Sequence, residues 1–365
     1  MAARPVIAGA AGGLLGVLAL LLWQAVATFA LTAQAWLPYP YPRAGSEGLM
    51  LYETLLLRQG TSLYGPITPE QFISGPYPPV YYWLAGQVMP AQPGFFDGRS
   101  LSLWAALAVA LLVVWTILGQ AFATAPAGTG RGHVALVGLG AGVVGAGLWL
   151  AAPPVLIWAT RFRADMLMMA CQAAGLCCLT VGTVPPPPGR PARWRTGVLP
   201  WLAIPCFVLA LYTKQTAVAG PLGAAAYLLL RDWRRGLVWI AGLLIVGGLP
   251  FLALDWASGH WFYLKMVVYH SLPWSLTTFT RLLVAWQEDH LLLILAALGY
   301  AAWTLRRRRN DPLTWYLIAT LATLPTAGVA GADHNHLLSV DLALVLTTGA
   351  ALAAAGTRAG GWGLG

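Results

Sequence analysis

Long apolar stretches alternate with short polar or basic connections along the whole chain. A helix needs about 20 predominantly apolar residues to cross a bilayer. Ten candidate segments can be drawn, at about 6–37, 100–122, 134–157, 165–184, 198–213, 216–230, 236–254, 290–305, 313–330 and 337–356, several of them shorter than that length. They predict an all-α polytopic bundle of about ten transmembrane helices, one transmembrane domain over 1–365. The first segment is longer than the roughly 7–15-residue core of a cleaved signal, so it is expected to stay as a signal anchor and first span. Two connections are long: 38–99, expected as a first external loop, and 256–289, expected as a second. Within the first, Pro79 to Val88 is only ten residues long before Met89-Pro90. It predicts a juxtamembrane helix, with Trp83 and its tyrosines at headgroup level. The Gly-rich stretch 357–365 is expected to be a flexible tail.

Composition agrees with the pattern. The chain is 58% hydrophobic and 9% charged, with mean hydropathy +0.68, against about 25% charged residues in ordinary soluble domains. A formal charge of +9 would suit nucleic acid only if the basic residues formed one face, and here they are scattered between apolar segments. Topology accounts for them better. With the N-terminus inside, Arg4, Arg131, Arg190, Arg193, Arg195, Arg231, Arg234, Arg235, Arg306, Arg307, Arg308, Arg309 and Arg358 fall in inner connections, where only Asp232 and Asp311 are acidic. The reading is therefore a multi-pass plasma (inner) membrane protein with a cytoplasmic N-terminus and an outward site. Pro185 to Pro188, followed by Gly-Arg-Pro-Ala-Arg-Trp-Arg, reads as a stiff basic inner linker. Cys171, Cys177, Cys178 and Cys206 lie in apolar segments without metal spacing and read as small core residues.

Charges at the outer ends of apolar segments are costly near lipid, and they are the candidates for chemistry. Glu47 lies between two glycines after the first segment. Ser46 can cap the helix that follows and the dipole then favours the ionised acid; the same placement leaves a general base. Arg161, Arg163 and Asp165 open the fourth segment, as a self-neutralising pair or as a phosphate site, since a guanidinium fork matches phosphate oxygens. Lys214, in Tyr-Thr-Lys-Gln-Thr, either snorkels outward or binds phosphate. Asp333, His334, Asn335 and His336 form a polar turn that caps a helix or reaches sugar hydroxyls. A divalent metal there is conceivable, but the spacing has no fixed ligand pattern such as His-Glu-x-x-His, so neither metal nor cofactor is expected. No P-loop and no Gly-x-Gly-x-x-Gly after a strand offers a site for a soluble nucleotide sugar.

The single acid after the first membrane helix, Gly60 to Tyr64 closing the next helix, and Tyr-Pro-Pro-Val-Tyr-Tyr-Trp-Leu at 77–84 resemble the first external loop of polytopic GT-C glycosyltransferases. The likeness is to bacterial family 39 proteins, kin of protein O-mannosyltransferases and the lipid A aminoarabinose transferase. Arg-Phe-Arg-Ala-Asp-Met-Leu at 161–167, Tyr-Thr-Lys-Gln-Thr at 212–216 and Gly-Ala-Asp-His-Asn-His-Leu-Leu at 331–338 extend it along the chain. Where many relatives have Asp-Glu, this chain has Ser46-Glu47. The resemblance implies transfer of a hexose or pentose from a polyprenyl-phosphate donor to an acceptor hydroxyl at the outer membrane face. It implies Glu47 and Asp165 as catalytic residues, and Arg163, Lys214 and Arg161 on the donor phosphate. Tyr77, Tyr81, Gln215, His334 and Asn335 would contact substrate. The donor and the bilayer would be the partners, with the acceptor open and no nucleic acid. The alternative is a transporter or flippase for a lipid-linked or anionic substrate, which would be expected to show pseudo-symmetric halves and midplane polar residues.

Overall fold

The computed structural model describes residues 3–70, 72–183 and 197–359, with side chains described from residue 16 onward. Each of the ten apolar segments coincides with a helix. In chain order these are α1 (Ala3–Trp36), α4 (Phe95–Thr124), α5 (Arg131–Ala151), α7 (Asp165–Gly182), α8 (Leu199–Thr213), α9 (Ala219–Arg231), α10 (Trp233–Ala257), α12 (Leu276–Arg306), α13 (Pro312–Thr323) and α14 (Leu338–Ala359). Three further helices lie between them at one end of the bundle: α2 (Gly45–Arg58), α3 (Pro79–Val88) and the short α6 (Pro153–Trp158). A single turn, α11 (Trp261–Tyr263), runs into a π-helical turn, Leu264–Val268. Seven of the ten segments are helices long and apolar enough to span a membrane. The other three, α8, α9 and α13, have 15, 13 and 12 residues, so at 1.5 Å per residue each falls short of a perpendicular crossing.

The structure moves three expected boundaries, each for a local reason. The eighth span is much longer than 290–305, because α12 begins at Leu276, where the Ser275 hydroxyl accepts the Thr278 amide at 3.3 Å. Residues 276–289 of the expected second external loop are thus helix, hidden from a hydropathy reading by Arg281, Glu288, Asp289 and His290. The ninth segment leaves α-helical geometry at Thr323 and continues as a 3-10 turn, Leu324–Gly328, since Pro325 has no amide to donate. The last helix runs to Ala359, so residues 357–359 of the expected tail are helical. The rest of the tail, Pro185 to Pro188 and the three arginines after them lie outside the described residues.

The core is built where small residues let helix backbones close. A methyl on Gly142 of α5 would lie 3.0 Å from the Val114 backbone of α4, and one on Gly349 of α14 would lie 2.2 Å from the Ile117 side chain. Such close approaches replace the hydrophobic drive that helices lack inside lipid. The charges then separate by end. Arg131, Arg231, Arg235, Arg306, Arg309 and Arg358 sit where helices enter or leave one end of the bundle. Glu47, Arg99, Arg163, Asp165, Lys214 and Asp333 gather at the other, under the roof formed by α2 and α3, which pack on each other and across the ends of α4 and α8.

Candidate active site

Glu47 lies in the first turn of α2 with no exposed surface. Its Oε1 accepts from Arg99 Nε at 3.0 Å and from the Phe162 amide at 2.7 Å. Its Oε2 accepts from Arg99 Nη2 at 2.8 Å and from the Arg43 amide at 2.6 Å. Burial pushes the Glu47 pKa up, but the bonds from Arg99, Phe162 and Arg43 outweigh it and hold the carboxyl below its ordinary range. Arg99, likewise fully buried, spends its remaining donors on the carbonyls of Trp36, Tyr39 and Tyr41. The pair thus ties the α1–α2 connection to α4 and to the loop before α7. Glu47 thus has the surroundings of a structural ion pair, each oxygen already accepting two hydrogen bonds. One expectation is corrected. Ser46 does not cap α2, whose N-cap is Ala44 without a side-chain bond; its hydroxyl accepts from Arg163 Nη1.

The second acid is placed differently. Asp165, at the start of α7, accepts on Oδ1 from Lys214 Nζ at 2.5 Å and from Asn335 Nδ2 at 2.8 Å. Its Oδ2 is buried, has no hydrogen-bond partner, and stands 3.6 Å from Arg163 Nε, which also lacks one. Arg163 gives its other nitrogens to Ser46 and to the Tyr77 hydroxyl. The Tyr77 ring lies 5.4 Å from the Arg163 guanidinium and 5.7 Å from the Lys214 ammonium, within cation–π range of both. Gln215 is fixed by its bond to the Pro76 carbonyl at 3.1 Å. The far oxygens of Gln215 and Asn335 and the Nδ1 of His336 are also buried without partners. Buried polar atoms are normally satisfied by protein, water or ligand, so five of them around Asp165 mark a place built for polar occupants.

Arg161 and the 333–334 turn form the rim. Arg161 Nη1 is 4.0 Å from Asp333, its guanidinium lies over Trp158 at 4.7 Å, and Asp333 also holds His334 Nδ1 at 2.9 Å. Beside the cluster an apolar groove of about 310 Å³ opens between α8, α10 and the π-helical turn, lined in part by Pro78, Tyr212, Leu244, Phe251 and Met266. Gln215 lines it too, so the groove and the polar cluster adjoin. Among the described residues no group of three His, Cys, Asp or Glu is placed to hold a metal ion.

Two crystal structures of ArnT from Cupriavidus metallidurans match this arrangement of helices. One is bound to undecaprenyl phosphate, with a TM-score of 0.61 and 16% identity over 92% of this chain. The other is the apo state, with a TM-score of 0.60 and 18% identity over 93% of this chain. The chain has the ArnT fold. It spans 60% of the length of those ArnT chains. No family model matches the chain, and no curated protein matches it in sequence. The polytopic all-helical architecture implied by the sequence resemblance is therefore the architecture found.

Within the ArnT fold, Arg163, Asp165, Lys214, Gln215, Tyr77 and Asn335 come together from four separate stretches of chain, while Arg161 and His334 lie at their edge. Tyr81 does not join them: it is fully buried, and its hydroxyl bonds the Gly98 carbonyl at 3.2 Å and meets Ser102 at 3.4 Å. Its expected substrate contact is corrected to a packing role. Sequence reasoning missed Arg99 and Glu53. Glu53 is fully buried and accepts from Tyr82 at 2.7 Å, Ser74 at 2.9 Å and the Gly75 amide at 2.7 Å. The signal for it was present, an acid six residues after Glu47 in a mostly apolar helix. Its partner in α3 and the loop between could not be read from sequence.

Proposed function

We propose that this protein is a membrane glycosyltransferase that moves a sugar from a polyprenyl-phosphate donor to an acceptor hydroxyl. The observation that supports the reading is the adjacency of the Arg163–Asp165–Lys214 cluster, with its unpartnered polar atoms, to the apolar groove beyond Gln215. A phosphate monoanion on a long isoprenoid needs two neighbouring environments, cations for the head and an apolar slot for the chain. Arg163 and Lys214 supply the first, with Arg161 at the rim, and the slot between α8 and α10 supplies the second. In the reaction the bond between the anomeric carbon and the phosphate oxygen breaks as the acceptor oxygen attacks. Asp165 Oδ2 takes the hydroxyl proton, and the lipid phosphate leaves onto the guanidinium and the ammonium. Glu47 holds the loop that bears Arg163 through its bond from the Phe162 amide, and Arg99 ties Glu47 to the α1–α2 connection.

The basic end of the bundle is assigned to the cytoplasm on the excess of arginine there, which puts the N-terminus inside and the Asp165 site outside. The test is a transfer assay on the purified protein with a panel of polyprenyl-phosphate hexoses and pentoses. Release of free polyprenyl phosphate that depends on acceptor and is lost in Asp165→Asn supports the proposal. Turnover of none of the donors, together with movement of a lipid-linked sugar across proteoliposomes, would replace it with the flippase reading.

A further inference from the structure

At the end of the bundle opposite Asp165, two cavities meet. A polar one of about 320 Å³ is walled by Gln120, Thr124, Tyr227, Arg309 and Asn310. A mainly apolar one of about 210 Å³ is walled by Pro200, Trp201, Leu228 and Trp239, and the two share Thr183 and Arg231. Arg231 stands at the junction. Its guanidinium meets the Tyr227 hydroxyl and, at 3.4 and 3.5 Å, the Thr183 carbonyl. That of Arg309 lies 5.2 Å from the Trp303 ring, which Arg358 also covers at 4.4 Å.

Among the described residues neither Arg231 nor Arg309 has a carboxylate within ion-pair distance. Two acids line the cavities, Asp311 the polar one and Asp232 the apolar one, and both are already engaged. Asp311 accepts from Gln120 at 2.5 Å and from the Thr314 amide and hydroxyl at 3.0 and 2.7 Å. Asp232 pairs with Arg235 at 3.2 Å and caps α10. Topology alone explains arginines at this end. It does not require them to line a polar cavity, whose own acid Asp311 is held by internal hydrogen bonds, that opens into a mainly apolar slot.

We propose that the joined cavities bind an anionic phospholipid of the adjoining leaflet. Its phosphate sits between Arg231 and Arg309, and one acyl chain lies against Pro200, Trp201, Leu228 and Trp239. Basic pockets between membrane helices are suited to such headgroups, and the slot selects a lipid over a soluble phosphate because a free anion has no use for it. The stretch 184–196 of the same chain carries Arg190, Arg193 and Arg195 and no acid, so it brings no counter-charge for these arginines.

The experiment uses the full chain in neutral detergent. Lipid retention is measured by native mass spectrometry and thermal protection, with dioleoyl-phosphatidylglycerol, dioleoyl-phosphatidylcholine and soluble glycerophosphate as probes. Phosphatidylglycerol is expected to bind about tenfold more tightly than phosphatidylcholine. Arg231→Ala and Arg309→Ala should each weaken it about fivefold, and Arg131→Ala, at a residue that lines neither cavity, should leave it unchanged. Arg231 also bonds Tyr227 and Thr183, so Arg309→Ala is the variant that separates lost binding from lost folding. A photoreactive benzoylphenylalanine at position 201 should cross-link to the lipid. Equal retention of the two phospholipids, equal protection by glycerophosphate, or a cross-link from position 201 into residues 184–196 would each overturn the proposal.

Discussion

Two carboxylates a short distance apart have opposite prospects, and the difference lies in how many donors each already has. Both Glu47 oxygens are filled by two backbone amides and the Arg99 fork, whereas Asp165 keeps Oδ2 free. Glu47→Gln should therefore act on stability. It leaves a buried guanidinium without its counter-charge, a loss of about 3–5 kcal/mol for a broken buried pair, read as a fall in melting temperature. Asp165→Asn should act on turnover, lowering kcat by about a hundredfold or more, the scale of acid–base help. A Glu47→Gln protein that melts normally but is inactive would restore Glu47 as the base. Acid should expose the same Glu47 pair. Its folded pKa is below the ordinary 4.5, so its contribution is fully present above about that pH and is lost as pH falls through the lower folded value. Melting temperature should thus not respond to Glu47 between pH 7 and 5, and should begin to fall only below 4.5. Arg163→Ala should raise the KM for donor, by the roughly 1.5–3 kcal/mol of a charged hydrogen bond, with kcat changed less.

Among the elements, the roof of α2 and α3 decides how the site is closed. Glu53 on α2 holds Tyr82 of α3 and, through Ser74 and Gly75, the strap that carries Pro76 and Tyr77 to the cations. Gly75 permits this path, since its φ is +47° and a methyl there would lie 2.6 Å from the Leu63 carbonyl. Lys265 pins the strap from the π-helical turn through the carbonyls of Leu63 and Ile73, at 2.8 and 2.7 Å. Tyr82→Phe leaves one buried Glu53 oxygen without its donor, at a loss of about 1–3 kcal/mol. It should also raise the donor KM, because Tyr77 and Gln215 are positioned by the strap. If the melting temperature fell but the KM stayed put, the roof would be only structural. The roof was half legible: the short helix 79–88 stands out by length and its bounding prolines. The strap was not, because its shape depends on a carboxylate 22 residues earlier in the chain.

For the whole molecule, the pairing of ends makes orientation testable. Trp256 at the site end is 82% exposed, and Arg307 lies at the basic end. In a background with the four native cysteines replaced, an impermeant thiol reagent applied outside intact cells should label a cysteine at 256 and not one at 307; the reverse pattern would invert the proposed topology. The order of the apolar helices follows from sequence alone, because lipid requires continuous apolar helices, and the sidedness proposed above rests on the bias of arginine toward alternate connections, a property of the chain itself. Sequence also singled out Arg163, Asp165 and Lys214, since charges at helix ends near lipid are rare and therefore conspicuous. Only the tertiary structure decided which acid is saturated. That depends on Arg99 and the Phe162 amide, 52 and 115 residues away in sequence, and no local pattern encodes where such donors will meet a carboxylate. It alone also buried Tyr81 against Gly98 and lengthened α12 through charged residues. In a packed bundle, the partner a polar group finds across helices outweighs the apparent polarity of its own segment.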